Sequence, residues 1–143
     1  MSKFSMFMKA NKVIKENAKF AVTKSLCDEK GEPLLWEFRA VSSKENEDIR
    51  DACVVEMPVA GKSGVSRSRL KTGMYVQKLI AASVVVPDLY DAELQDSYGV
   101  KTPEELLMAL VDDPGEYNRL AEFVQHFHGF DVSLDEKAEQ AKN

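Results

Sequence analysis

The chain has 143 residues and a mass of 16.0 kDa, 44% hydrophobic and 30% charged, with only 7 Gly and 5 Pro. That is the composition of one globular domain, and it excludes a collagen-like, low-complexity or disordered chain. The net charge of −5 is uneven, with six lysines and one glutamate in residues 1–24 but fourteen acids and four bases in residues 88–143, and such an acidic half repels nucleic acid phosphates.

A chain of this length hides roughly 68–70% of its unfolded surface on folding, so neither metal nor disulfide is needed to hold it. Cys27 and Cys53 lie far apart with no C-x-x-C pair, and they read as free thiols of a reducing compartment. The apolar run Phe4 to Met8 is cut by Lys9, and the longest, Leu79 to Val86, is far short of a membrane span. The expectation is a cytoplasmic protein with no membrane partner.

In chain order, Ser2 to Asn17 places Phe4, Phe7, Met8 and Ile14 on one broad side, as a short basic amphipathic helix would. A hairpin follows. Phe20, Val22 and Thr23 form one strand and Leu34 to Val41 the other, around the turn residues Asp28 to Pro33, and Trp36 and Phe38 share the face that covers the core. Ser42-Ser43-Lys44-Glu45 is a capping box that opens a helix running to about Met57. Residues 58–71 hold Gly61, Gly64 and three serines without a period, which predicts a flexible loop. Gly73 to about Val86 is apolar almost all round, as a buried central helix is.

Asp91 to Tyr98 is a short helix with Gly99 as its left-handed cap. Thr102-Pro103 opens the next helix, and a tight break at Asp113-Pro114-Gly115 sets the helices either side antiparallel, the second carrying Tyr117, Leu120, Phe123, Val124 and Phe127 at helical spacing. Ser133 to Glu136 opens a polar terminal helix. The fold class is therefore α+β and predominantly helical, one N-terminal β-hairpin packed on about six helices, in a single domain over 1–143.

Chemistry is hard to place on this chain. Gly61-Lys62-Ser63 has Glu56 where a phosphate-binding loop requires its first glycine, and a carboxylate there repels phosphate. His126 and His128 are one residue apart, a spacing that points them away from each other on a helix rather than onto one metal. The acidic pairs Glu104-Glu105 and Asp112-Asp113 sit at helix ends, where capping accounts for them. No enzyme activity, cofactor or metal is expected. Two features can meet a partner. One is the basic stretch Lys62, Arg67, Arg69 and Lys71, which has no interleaved aromatic to stack bases. The other is the apolar stripe Tyr117, Leu120, Phe123, Val124 and Phe127 with Leu106 and Leu110 of the preceding helix, which fits either the domain's own core or a groove for a partner.

Several short runs, in order and spacing, carry a resemblance: Trp36 to Ala40 after a charged turn, Asp91 to Val100, Gly115-Glu116-Tyr117, Gly129-Phe130-Asp131, and the ending Glu139 to Asn143. Across nearly the whole chain from about Phe20 this resembles the XkdN-like phage tail assembly chaperones. The resemblance implies a non-structural helper, made from phage or prophage genes in the bacterial cytoplasm and absent from the mature virion. Such a helper binds the tape measure protein and keeps it soluble before the tail tube polymerises around it. Tail tube protein and further copies of the chain itself are additional partners to consider. Two other functions fit the same residues: a tube or baseplate subunit of the tail, and a small regulatory protein binding phosphate or nucleic acid through the basic stretch.

Overall fold

The computed structural model describes residues 2–130. The terminal helix expected from Ser133 lies outside them. Strands β1 (Ala18–Ala21) and β2 (Leu35–Phe38) pair antiparallel, Ala18 opposite Phe38 and Ala21 opposite Leu35. The connection between them is closed by Asp28, whose Oδ1 accepts from the amides of Lys30 at 2.8 Å and Glu32 at 3.0 Å, and by Gly31 at φ 81°. A third strand, β5 (Val84–Val86), pairs antiparallel with the other side of β2. The sheet thus has three strands, not the two of the expected hairpin. Along β2, Trp36 and Phe38 are buried while Leu35 is exposed, the alternation the pleat requires.

Helix α1 (Ser43–Ala52) has the expected capping box, with Glu45 N–H donating to Ser42 Oγ and Ser42 N–H to Glu45 Oε1. Glu45 also takes a two-point contact from the Arg39 guanidinium at 3.1 and 2.7 Å, and this chiefly holds its carboxyl at about 2. The helix stops at Ala52 rather than Met57, because the chain turns into a second antiparallel ribbon. Strand β3 (Val54–Pro58) pairs with β4 (Ser66–Leu70), in register from Val54 opposite Leu70 to Pro58 opposite Ser66.

Pro58 and Ser66–Leu70 of the expected loop 58–71 are therefore strand. It hides from pattern reading because Ser66-Arg67-Ser68-Arg69 is exposed on both faces and alternates nothing. The turn 59–65, with Gly61 and Gly64 at positive φ, stays irregular, and Lys71 links β4 to the next helix. Trypsin is accordingly expected to cut first at Lys62, and only later at Arg67 and Arg69. A first cut within β4 in a time course read by mass spectrometry contradicts the ribbon.

The buried centre is built by α2 (Thr72–Ser83), which delivers Leu79 and Ile80 to the core, and by α4 (Pro103–Leu110) and α5 (Pro114–Phe127). Helix α2 ends three residues earlier than expected, and its apolar tail Val84–Val86 becomes the third strand. Helix α3 (Ala92–Tyr98) is capped by Asp91 and closed by Gly99 at φ 68°, α4 starts at Thr102-Pro103 as expected, and α5 starts within the expected break, with Asp113 as its cap and Pro114 in its first turn. Five α-helices are present among the described residues.

The amphipathic helix expected over 2–17 is absent. Two isolated 3-10 turns, Ser5–Phe7 and Lys9–Asn11, are followed by extended chain that runs into β1. Nucleating a helix is costly, and no facing surface buries this segment's apolar side.

Candidate partner-binding surfaces

Helix α5 begins firmly. Asp113 accepts from the Glu116 amide at 2.9 Å, and Glu116 in turn ties the helix to the end of β1, accepting from Thr23 Oγ1 at 2.7 Å and from the Lys24 amide at 2.8 Å. That clamp fixes which face of α5 meets the sheet. Leu120 and Val124 reach zero exposure in the same core as Phe38 and the α2 residues Leu79 and Ile80, and Leu106 and Leu110 of α4 are buried with them. Four of the seven expected partner residues are thus core, with no surface of their own. Tyr117, Phe123 and Phe127 are half-buried at its margin, and burial raises the Tyr117 phenol above its ordinary value.

Phe123 is the hinge of an aromatic row. Its ring stacks on Phe20 at 4.4 Å between centroids, meets Phe38 edge-on at 5.1 Å and stacks on Phe127 at 6.2 Å. On the outer side of Phe123 is an open groove of about 580 Å³, lined by Phe20, Phe123 and Phe130 with Arg119, Glu122, Gln125 and His126 around them. Its apolar floor and mixed-charge rim suit an apolar helix or strand of a partner. Phe20 and Phe130 were not among the expected residues. Phe20 belongs to β1 and only the fold brings it to α5, whereas Phe130 lies in the turn that closes α5, its amide donating to the Gln125 carbonyl at 2.8 Å.

The C-terminal end of α5 is locked by His128. The Val41 amide donates to Nε2 at 2.9 Å, so the ring proton sits on Nδ1 and is donated to the Val124 carbonyl at 2.7 Å. No cluster of three His, Cys, Asp or Glu that could hold a metal exists among the described residues. Gly61-Lys62-Ser63 lies in the turn of the β3–β4 ribbon, away from any helix start.

A second apolar surface lies at the opposite end of β2. Leu34, Leu35, Val86 and Tyr98 are 43%, 60%, 49% and 39% exposed and surround a cavity of about 280 Å³ floored by Trp36, Leu94 and Leu110. Helix α3 supplies Leu94 and Tyr98. Its lining comes from three distant segments, so no single periodicity announces it. No helix among the described residues is long and apolar enough to cross a membrane.

Comparisons with known proteins agree with this architecture. Residues 4–142 match the family profile described as phage XkdN-like tail assembly chaperone protein. Two Bacillus subtilis proteins, YqbN and the phage-like element PBSX protein XkdN, are each 22% identical over 139 residues. The alignments cover 97% of this chain and 92% and 93% of theirs. The crystal structure of YqbN superposes with a TM-score of 0.72 at 16% identity, over 90% of this chain and 98% of that one, and so shares its fold. The chain belongs to the XkdN-like family of phage tail assembly chaperones.

Proposed function

We propose that this chaperone binds the tape measure protein through the α5 groove and holds it soluble in the bacterial cytoplasm until the tail tube forms around it. The observation that supports the reading most is the open aromatic groove on the outer side of Phe123, on a chain whose family is one of assembly chaperones rather than of enzymes. A tape measure protein is a long helical chain with apolar faces, and such faces aggregate until they are covered. Phe20, Phe123 and Phe130 offer a short apolar seat to one helical ridge at a time, while Arg119 and Glu122 leave the rim wet and the contact reversible. Many copies along the partner each contribute a weak, releasable contact, and the acidic second half keeps the assembly soluble. Leu106, Leu110, Leu120 and Val124 act on this reading only by holding Phe123 and Phe127 in place.

The test is co-expression with the tape measure protein encoded beside it. The partner is expected in the soluble fraction, co-purifying with this chain. Phe130→Asp, at a 40% exposed position, is expected to lose the partner without unfolding the chaperone. A partner equally soluble alone, or retained by the Phe130 variant, contradicts the groove assignment. Finding this chain in purified tails supports a structural role instead.

A further inference from the structure

The β3–β4 ribbon stands apart from the core, and residues 54–71 include no buried side chain. They carry one acid, Glu56, against Lys62, Arg67, Arg69 and Lys71, a local surplus of positive charge in a chain of net charge −5. Residues directly opposite each other on an antiparallel pair share a face, so the register sorts the ribbon into two. Glu56 opposite Ser68 and Pro58 opposite Ser66 make one face, where the Glu56 carboxylate accepts from Ser68 Oγ at 2.7 Å and from Ser66 Oγ at 3.2 Å. Val55 opposite Arg69 and Met57 opposite Arg67 make the other. The ribbon's acid is thus turned away from both arginines. Among the described residues, the side chains of Arg67, Arg69 and Lys71 enter no ion pair and no hydrogen bond.

These unpaired cations border an apolar hollow. A groove of about 800 Å³ opens between this face and the first turns of α2, lined by Val55, Met57 and Met74 with Arg69, Lys71 and Gln77 beside them. Met57 and Met74 are 40% and 39% exposed, and methionine repacks readily around an apolar side chain that enters. From this juxtaposition we propose that the ribbon face and α2 seat an acidic amphipathic helix of a partner protein. A two-residue step along β4 sets Arg67 and Arg69 about 6.6 Å apart, close to the ~6 Å rise between carboxylates four residues apart on a helix. Such a helix lays its apolar ridge against Val55, Met57 and Met74 while its carboxylates take the two guanidinium forks and the Lys71 ammonium. A nucleic acid strand fits less well, because its phosphates leave the apolar floor uncovered and no aromatic lines the groove to stack a base. The ribbon and α2 contribute nothing to the α5 groove, so the inference stands on its own surface, whatever occupies the other.

Fluorescence anisotropy on the full chain tests it, with a labelled synthetic helix bearing leucines and glutamates in adjacent i, i+4 rows as the probe. Saturable binding is expected, weaker in high salt and lost when lysines replace the glutamates of the probe. Arg67→Glu/Arg69→Glu is expected to weaken it by about tenfold or more, and Met57→Ser to weaken it as well, because the apolar floor contributes. Lys30→Glu/Lys101→Glu, the same change of charge at exposed positions elsewhere, is expected to stay within about twofold of wild type. Should circular dichroism show the arginine variant to be unfolded, Arg67→Gln/Arg69→Gln serves in its place. A wild-type chain that does not bind the probe overturns the proposal, as does binding that survives both arginine variants. Binding lost in Phe130→Asp but kept in the arginine variants would put the probe in the α5 groove, which overturns the ribbon site and leaves the α5 reading standing. Tighter binding of a single-stranded oligonucleotide through the same arginines would make the ribbon a nucleic acid surface. A sedimenting mass that falls in the arginine variants would seat a second copy there. Either result overturns the assignment to a partner helix.

Discussion

Phe38→Ala is expected to destabilise the protein by about 3–5 kcal/mol, the range for removing a large aromatic from a tight core. Phe38 has zero exposure in the central strand of the three-stranded sheet. Its ring stands between the sheet and α5, edge-on to Phe123 at 5.1 Å and beside Trp36 at 6.5 Å. Alanine there opens a void bounded by two rigid elements, neither of which can collapse to fill it. Leu35→Ala, three residues earlier on the same strand but 60% exposed, serves as the control and is expected to stay within about 0.5 kcal/mol of wild type. Urea unfolding followed by Trp36 fluorescence measures both. A Phe38 variant within 1 kcal/mol of wild type would mean that the sheet–helix contact is not the heart of this core.

The same contact explains which parts of the fold were legible in the sequence. Helix starts are local chemistry, and Ser42 with Glu45 and Thr102-Pro103 cap helices where their spacing says they should. Strands depend on partners elsewhere in the chain. Val84–Val86 continues an apolar helical run and becomes strand only because β2 offers it an open edge. Ser66–Leu70 is polar on both faces, so the β3–β4 ribbon has no pattern to read.

The candidate site was half legible for a related reason. Helical spacing on α4 and α5 says that each helix has an apolar face, and Leu106, Leu110, Leu120 and Val124 do form one. Spacing does not say whether that face meets the protein's own sheet or a partner. Phe38 answers the question by occupying it, which leaves the outer side of Phe123 for the groove with Phe20 and Phe130. The N-terminal segment 2–17 shows the converse case. Its residues have amphipathic spacing, yet without a surface to bury them they form two single turns and stay exposed.

Acidification from pH 7.5 to 5.5 is expected to weaken the protein through His128. Burial pushes this imidazole below its ordinary value, more strongly than the Val124 carbonyl raises it, and the charges of Lys15 and Arg39 push the same way as burial. The folded state therefore binds its proton less readily than the unfolded chain does. The stability it contributes is fully present above the unfolded value of about 6.5 and is lost as pH falls from there towards the native value. Geometry gives the cause a second form. A protonated ring carries hydrogen on Nε2, directly facing the Val41 N–H that now donates to it at 2.9 Å, so two donors confront each other. Glu45 does not act in this window, because its carboxyl is held at about 2 and its contribution is lost only as pH falls below the ordinary carboxylate range. His128→Ala leaves the Val41 amide without its acceptor and is expected to cost about 1–3 kcal/mol at pH 7.5. The variant is also expected to lose less stability than wild type on going to pH 5.5, since the titrating group is gone. Paired urea titrations at the two pH values decide the matter: equal losses in wild type and variant would assign the acid sensitivity to some other group and leave His128 a mere spacer between α5 and β2.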